Sequence, residues 1–346
     1  MGRVYSDGGD FSGAFSECNS DVSGEFSSTS SSSFVGGDGG GLHRFLVSCT
    51  TDYSDEVVRK LISELESPSA SVESQRRAAM ELRLLGKHSP ENRLRIAAAG
   101  AVAPLVALLS HADPQLQEHG VTALLNLAIC DENKAPIAAA GAVRPLVVAL
   151  RTGTPTAREN AACALLRLAQ LDDLRAAIGR SGAIPGLVAL LESGGPRGKK
   201  DAATALYTLL ATRDNKVRSI EAGVVRPLLD LMADSESGMV DKAAYVLHSI
   251  VEVAEGRAVA VAEDAIPVLM ELVEGGTPRQ KETAIRSLHE ICRESAIYRR
   301  MVTDEGAIPA LIALSQSQAG TNRAKQKAEA LIELLREQQT AGTLRR

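Results

Sequence analysis

Tryptophan is absent from this chain of 346 residues, and aromatic residues make up only 3% of it. Hydrophobic residues nevertheless reach 45%, so a core has to be built from leucine, alanine, valine and isoleucine. Such a mixture favours helices that pack closely through small side chains. The length has room for two ordinary domains or for one elongated repeat domain.

The five cysteines include no Cys-x-x-Cys pair, and one would be left over after pairing. This pattern argues against a disulfide framework and against a zinc site. No apolar run approaches the roughly 18 residues of a membrane span. The start of the chain also lacks the basic-then-apolar order of a signal peptide. We therefore expect a soluble protein of the cytoplasm, the nucleus or both.

An excess of positive charge is also lacking. Residues 1–52 hold seven acidic and two basic residues, which leaves 36 of each from the chain's 43 acidic and 38 basic residues. Residues 53–346 are therefore neutral overall and lack the excess of basic residues that a general nucleic-acid binder shows. We therefore expect protein partners and no nucleic acid.

Residues 1–52 are dominated by serine, glycine and aspartate, with the runs SSTSSSSF at 27–34 and GGDGGG at 36–41. Because they show no sustained apolar periodicity, we expect a disordered acidic head. Its first residues, MGRVYS, fit the myristoylation pattern at Gly2, but Asp7 and the lack of a polybasic stretch disfavour stable anchoring. A repeat domain is expected over 53–338, followed by a tail at 339–346.

A period of 41 residues runs through the repeat domain. The phrase GAVAPLVALL at Gly100 recurs as GAVRPLVVAL at Gly141 and GAIPGLVALL at Gly182, with related phrases at Gly223, Asp264 and Gly306. A second phrase, ALLNLA and its variants, keeps the same period around Leu124, Leu165, Leu206, Leu247 and Leu288. Degenerate copies at both ends bring the count to about seven units, as in a stacked array with atypical terminal repeats.

Each unit contains signals for three helices. A long helix is expected to open with an N-cap and a proline, at Asp113-Pro114, Thr154-Pro155, Gly195-Pro196 and Thr277-Pro278. The long helix of the second unit should end near Cys130, and ENKAPIAAAG should form a short helix ended by glycine before RPLVVAL forms the next. The pattern predicts an all-α, right-handed armadillo-repeat superhelix, an α-solenoid, with two-helix HEAT units as the near alternative.

Several longer phrases are more specific than the period. They include QRRAAMELRLLGKHSPENR at 75–93, RTGTPTAREN at 151–160, GGPRGKKDAATAL at 194–206 and GMVDKAAYVL at 238–247. Through them the chain from about residue 56 to 338 resembles the armadillo repeats of plant U-box ubiquitin ligases. In that family the U-box recruits the ubiquitin-conjugating enzyme, and the armadillo array selects substrates or partners. The 52 residues before the repeats contain neither the Cys-Pro-Ile nor the Tyr-Glu-Arg segment of a U-box, so the resemblance implies the binding half alone.

The resemblance also implies that the third helices line a concave groove. Asn126 looks like the groove asparagine of armadillo proteins, and the period then gives its equivalents and those one and two turns earlier. The predicted partner-binding residues are His119, Thr122, Asn126, Asn160, Cys163, Arg167, Asp201, Thr204, Thr208, Lys242, Tyr245, Ser249, Arg286 and Glu290.

The segments that come nearest to catalytic, cofactor-binding or metal-binding motifs do not match them. The segment SGGPRGKKD at 193–201 departs from a phosphate loop at both ends, and the string that begins at His289 has Arg293 where a zinc protease needs its second histidine. We therefore expect no enzyme and no cofactor, but a scaffold or adaptor for ubiquitin-pathway or signalling complexes. An active E3 ubiquitin ligase is the alternative. A nuclear-import carrier is less favoured, because such carriers use recurring groove tryptophans.

Overall fold

The computed structural model describes residues 55–317 and 321–343. The predicted acidic head, with Gly2 and the serine run, lies outside the described residues. Within these ranges the chain forms twenty α-helices, which we number α1 to α20, one short 3-10 helix and no strand. Two compact units divide at residues 171 and 172, and each is described by itself.

The first unit contains eight helices. They are α1 (Asp55–Glu66), α2 (Val72–His88), α3 (Pro90–Ala98), α4 (Val102–Leu108), α5 (Pro114–Leu127), α6 (Asp131–Ala139), α7 (Val143–Thr152) and α8 (Pro155–Ala169).

The second unit contains the other twelve helices and the 3-10 helix Ser235–Ser237. They are α9 (Asp172–Arg180), α10 (Ala183–Ser193), α11 (Pro196–Leu209), α12 (Arg213–Glu221), α13 (Val225–Ala233), α14 (Val240–Val251), α15 (Ala254–Ala262), α16 (Ala265–Gly275), α17 (Pro278–Cys292), α18 (Ala296–Asp304), α19 (Ala307–Gln316) and α20 (Asn322–Thr343). The last helix therefore continues past residue 338, where the repeat domain was expected to end.

The helices recur in threes, as in α3–α4–α5 and α6–α7–α8, which confirms three-helix units and not two-helix HEAT units. The first two helices of a repeat are sharply angled, by 90° between α6 and α7 and by 82° between α9 and α10. The long third helices are α2, α5 and α8 in the first unit and α11, α14, α17 and α20 in the second. Within each unit, successive third helices pack against one another.

The predicted openings of the third helices are confirmed. The Asp113 carboxylate accepts from the backbone N–H of Gln115 at 3.1 Å and of Leu116 at 2.9 Å. Thr277 forms a capping box with Gln280, in which each side chain binds the other's backbone N–H. Each cap satisfies N–H groups that have no partner inside the helix, and the proline that follows needs none.

Helix α5 ends at Leu127, three residues before the expected Cys130. A contact from the following helix accompanies this end, because the Asn133 side-chain amide donates to the Leu127 carbonyl at 3.0 Å. That bond takes a carbonyl that continued helix would have used. Residues 128–130 then form the turn into α6.

A left-handed backbone residue separates the first helix from the second in each of six repeats. Five are glycines, which adopt positive φ without strain. The sixth is Asp264, at φ 62°, and it is the one non-glycine residue with positive φ in the described part of the chain. The glycines and their φ angles are Gly100 (93°), Gly141 (81°), Gly182 (86°), Gly223 (74°) and Gly306 (84°).

The leucines of the second repeated phrase form the centre of the core. Each is at most 1% exposed, and they lie on the third helices as Leu124, Leu165, Leu206, Leu247 and Leu288. Alanines at 0–2% exposure fill the positions around them. Helices with such small neighbours approach closely, which explains how the core forms without tryptophan or phenylalanine.

Leu206→Ala should lower the free energy of unfolding by about 2–5 kcal/mol, because it opens a cavity at a fully buried site. Urea unfolding followed by circular dichroism measures the change. Val148→Ala on α7 is the control, since Val148 is 51% exposed and its loss should change stability by less than about 0.5 kcal/mol. Equal stability of the two variants would contradict the packing described.

Asp264→Gly should raise the free energy of unfolding by about 0.5–1 kcal/mol. The substitution removes about 1–2 kcal/mol of strain from the left-handed backbone. Part of this gain is offset, because glycine has greater conformational freedom in the unfolded chain. Gly141→Ala is the mirror experiment, and it should destabilise by a similar amount although no atom lies within 4 Å of the added Cβ. Shifts of the same sign in both variants would refute the backbone argument.

Candidate partner-binding face

The accessible face of the third helices is positioned by contacts at their C-terminal ends. Near the start of three of the following first helices, an arginine binds the last carbonyls of the third helix, namely Arg93, Arg257 and Arg299. Arg93 donates to the carbonyls of Gly86 and Lys87, both at 2.7 Å, and Arg299 donates to that of Cys292 at 2.9 Å. A cation at a helix C-terminus also interacts favourably with the helix dipole. The equivalent positions hold Lys134, Arg175, Lys216 and Arg257.

Two asparagines add a second bond at this junction and join successive first helices. Asn133 donates to the Leu127 carbonyl and, at 3.2 Å, to that of Arg93 in the previous repeat. Asn215 does the same with the carbonyls of Leu209 at 2.9 Å and Arg175 at 3.0 Å. Both asparagines are buried. Each junction thus fixes both the end of a third helix and the offset to the next repeat.

Most residues of the third helices α5, α8, α11 and α14 are buried, and each of these helices keeps only a few accessible positions on one face. In α8, residues 161–166 are buried, whereas Glu159 and Arg167 are partly exposed, and Cys163 lies between them on the same face. We call these positions and their equivalents the groove stripe. Its members are Glu118, Thr122 and Asn126 on α5; Glu159, Cys163 and Arg167 on α8; Lys200, Thr204 and Thr208 on α11; Asp241, Tyr245 and Ser249 on α14; and Glu282, Arg286 and Glu290 on α17.

In the first unit, several predicted contact residues lie between the third helices. Thr122, Asn126 and Asn160 are at most 1% exposed. The Asn126 amide donates to the Arg83 carbonyl at 3.0 Å, and the Asn160 amide donates to the Thr122 hydroxyl at 2.8 Å. These side chains join α2 to α5 and α5 to α8, and in the free chain they offer almost no surface to a partner.

His119 and Arg167 are the predicted residues of this unit that keep accessible surface, and Cys163 is 4% exposed. In the second unit the accessible ones are Thr208, Ser249, Arg286 and Glu290. Four others of that unit are at most 9% exposed, namely Asp201, Thr204, Lys242 and Tyr245. Contact of any of these residues with a partner stays a prediction.

The prediction missed one accessible row. It placed the outermost contacts three residues before Thr122 and its equivalents, at His119, Asn160, Asp201 and Lys242. The residues four positions before are the more accessible ones, because four residues bring a helix back to nearly the same face. They are Glu118, Glu159, Lys200, Asp241 and Glu282. A consistent spacing of four along the known period would have found them.

Burial perturbs several ionisable groups behind the stripe. His248 is 6% exposed, and burial, together with Arg286, Lys216 and Lys327, lowers its pKa to about 3. Its ring nitrogen Nδ1 lies 3.4 Å from the hydroxyl of the fully buried Ser287. Burial also raises the pKa of Tyr207 and lowers that of His289.

The arrangement offers no accessible nucleophile at the Ser287–His248 contact, because both side chains are buried in the stack and a substrate cannot reach them. The Ser287 hydroxyl instead donates to the Thr283 carbonyl at 2.9 Å. Burial raises the pKa of the Cys292 thiol to about 12, which disfavours the reactive thiolate. Across residues 55–317 and 321–343, no three histidine, cysteine or acidic side chains are grouped so that they could hold a metal ion.

The family model for the armadillo-repeat region of plant U-box proteins matches residues 57–344. Among curated proteins, U-box domain-containing protein 14 of Arabidopsis thaliana is 50% identical over 82 residues, which is 24% of this chain and 13% of that protein. E3 ubiquitin-protein ligase SPL11 of Oryza sativa subsp. japonica is 54% identical over 72 residues, 21% of this chain and 10% of that protein. The matches therefore span only about a tenth of these relatives.

Solved structures show the same architecture. An engineered protein, target OR497, superimposes with a TM-score of 0.68 at 27% identity, covering 82% of this chain and 68% of its own. Computationally designed armadillo repeat proteins for modular peptide recognition match with a TM-score of 0.53 at 21% identity, over 80% of this chain and 99% of theirs. The predicted all-helical armadillo fold is confirmed. In the described part of the chain, no single helix has the length and apolar content of a membrane span.

His248 should make stability depend on pH. Its pKa is about 3 in the folded chain and near 6.5 when unfolded, so its neutral form contributes stability fully above pH 6.5. That contribution falls by roughly 1.4 kcal/mol per pH unit as the pH drops from 6.5 toward 3, because the unfolded chain binds the extra proton. His248→Gln should reduce this slope in urea unfolding between pH 7 and 5, and the part that remains comes from partly buried histidines such as His289. His88→Gln, at an exposed position, should keep it, and identical slopes in both variants would exclude His248 as the cause.

Proposed function

The chain belongs to the armadillo-repeat family of plant U-box proteins, and we propose that it is a non-catalytic scaffold or adaptor that binds protein partners along its groove stripe. The family supports a protein-interaction role, since the matched region is an interaction fold. The finer assignment, to complexes of the ubiquitin pathway or of signalling, draws on relatives that include a named E3 ubiquitin-protein ligase. No disulfide bond forms among the described cysteines, which fits a reducing cytoplasm or nucleus.

One observation carries the proposal. The buried leucines repeat almost without change from one third helix to the next, whereas the accessible positions of the groove stripe change in charge and size. The row that contains Arg167 reads Arg, Thr, Ser and Glu from α8 to α17, and the row that contains Glu159 reads Glu, Glu, Lys, Asp and Glu from α5 to α17. A regular frame that presents a different side chain at each step suits recognition of a specific polypeptide.

Spacing supports an elongated occupant. Third helices of neighbouring repeats pack about 8–10 Å apart, which equals roughly three residues of extended chain. An extended segment or an amphipathic helix laid across the third helices therefore meets the stripe at regular intervals. At the level of fold analogy, the designed armadillo proteins that share this fold are described as peptide binders.

Affinity purification with charge-swapped chains tests the proposal. Arg286→Glu with Glu290→Arg reverses two accessible stripe residues on α17 and leaves the net charge unchanged. Arg226→Glu with Asp230→Arg is the matched control, because it swaps an exposed ion pair at the same spacing on a second helix, α13. We expect the stripe swap to lose at least tenfold of a partner's recovery and the control swap to lose none.

Circular dichroism first establishes that both variants fold. If the partners were still recovered with the stripe-swapped chain but lost with the control chain, binding would lie on the other helices. The same experiment with Glu159→Arg and Arg167→Glu tests the stripe of the first unit independently.

The alternative function is an active E3 ubiquitin ligase, favoured by the names of the relatives. In vitro autoubiquitination with a panel of conjugating enzymes separates it from the scaffold proposal. We expect no ubiquitin transfer by the purified chain. Reproducible ubiquitin chains that depend on the conjugating enzyme would establish the ligase and replace the non-catalytic assignment.

A further inference from the structure

The third helix α2 presents a stripe that differs from the others in the first unit. Arg76, Met80, Arg83 and Lys87 are spaced by four, three and four residues, so they share one face of the helix. Met80 is 40% exposed. Its counterpart on α5, Thr122, is fully buried. We call this face the α2 cationic stripe, since it combines three cations with an exposed thioether.

Two of these cations form no salt bridge with another described residue. Arg76 is held by Asp113 and by Glu73. Arg83 and Lys87 have no carboxylate within 4.0 Å among the described residues. The guanidinium of Arg83 is half-buried beside His119, whose Nδ1 lies 3.4 Å away. Burial lowers the Arg83 pKa and outweighs the nearby Glu118, so an additional anion at this place would be favourable.

The chain itself contains a segment of complementary chemistry. Residues 7–26, DGGDFSGAFSECNSDVSGEF, carry five acidic residues and no basic residue. All five phenylalanines of the chain lie in the first 52 residues, and three of them are in this segment. The repeat domain has no phenylalanine and does not need one for its core. Carboxylates alternating with phenylalanines match a surface of cations around an exposed methionine, because thioether–aromatic contacts are favourable.

The connection is also long enough. Residues 27–54 number 28, and a chain of that length can reach up to about 90 Å when fully extended. They lead directly into α1, which is tied to the same unit by ion pairs from Asp55 to Arg95 and from Glu64 to Arg77. Helix α2 is only about 25 Å long at 1.5 Å per residue. The segment therefore has a high effective concentration at the stripe.

We propose that the acidic, phenylalanine-bearing segment 7–26 binds the α2 cationic stripe of its own chain. The interaction goes beyond the proposed scaffold function and does not require that any partner has been found. Arg83 and Lys87 bind the carboxylates, and Met80 contacts a phenylalanine ring. Because exposed charges hold the segment, salt weakens the contact.

Fluorine NMR of the full chain labelled with 4-fluorophenylalanine tests this directly, because every signal comes from the head. At low salt the Phe11, Phe15 and Phe26 signals should be displaced and broadened, while Phe34 and Phe45 should stay at the free position as internal references. Single Phe→Leu substitutions assign the five signals. Arg83→Glu with Lys87→Glu should return all three displaced signals to the free position.

Arg59→Glu with Lys60→Glu is the matched control, since it reverses two exposed cations on α1 away from the stripe, and it should leave the displaced signals unchanged. Asp10→Asn with Glu17→Gln and Asp21→Asn should release the segment without touching the folded body, so a folding defect cannot imitate the result. Five coincident signals in the wild-type chain, or equal responses to the two cation reversals, would overturn the proposal. Displacement that disappears on dilution would also overturn it by assigning the contact to a second copy.

Discussion

The end of each third helix is the place on which the rest of the structure depends. Its last carbonyls have no partner within the helix, and the next repeat supplies one through a cation such as Arg93 or Arg299 and, in two repeats, through a buried asparagine. A repeat therefore completes its predecessor's hydrogen bonds as well as its core. This explains why the period is kept so closely, since an insertion at the junction would leave buried carbonyls unpaired.

Because the contacts at each junction fix the packing of the repeats, the side chains on the accessible face can differ between repeats. The leucines and alanines behind the stripe and the polar pairs Asn126–Arg83 and Asn160–Thr122 hold the third helices at a constant spacing. Some outermost side chains also bond to the next repeat, as Glu118 does with Thr154, yet their charge and size differ from repeat to repeat. Stability and recognition are therefore assigned mainly to different rows of the same helix, which is the arrangement expected of a binding scaffold.

Most of the fold could be predicted from the sequence, because its signals are local and repeated. Proline after an N-cap, glycine at the turn and leucine at a fixed period each act within one repeat, and the structure confirms them. The end of α5 could not be placed the same way, because residues 128–130 are Ala-Ile-Cys and include no glycine or proline that would mark it. The burial of Asn126 could not be predicted from the sequence either, since it follows from a hydrogen bond to the backbone of the preceding repeat. The cation at the junction was predictable in principle, since Arg93, Lys134 and Arg175 follow the same period.

Hydroxyl-radical footprinting of the chain with a captured partner is the most direct test of the central claim, that the third helices form the binding face. The account predicts that His119, Arg167 and Arg286, which are partly exposed, lose reactivity in the complex. Tyr298, Ile297 and Met301, which are accessible on the first helix α18, should keep theirs. Protection of the α18 residues with unchanged reactivity on the third helices would contradict the account.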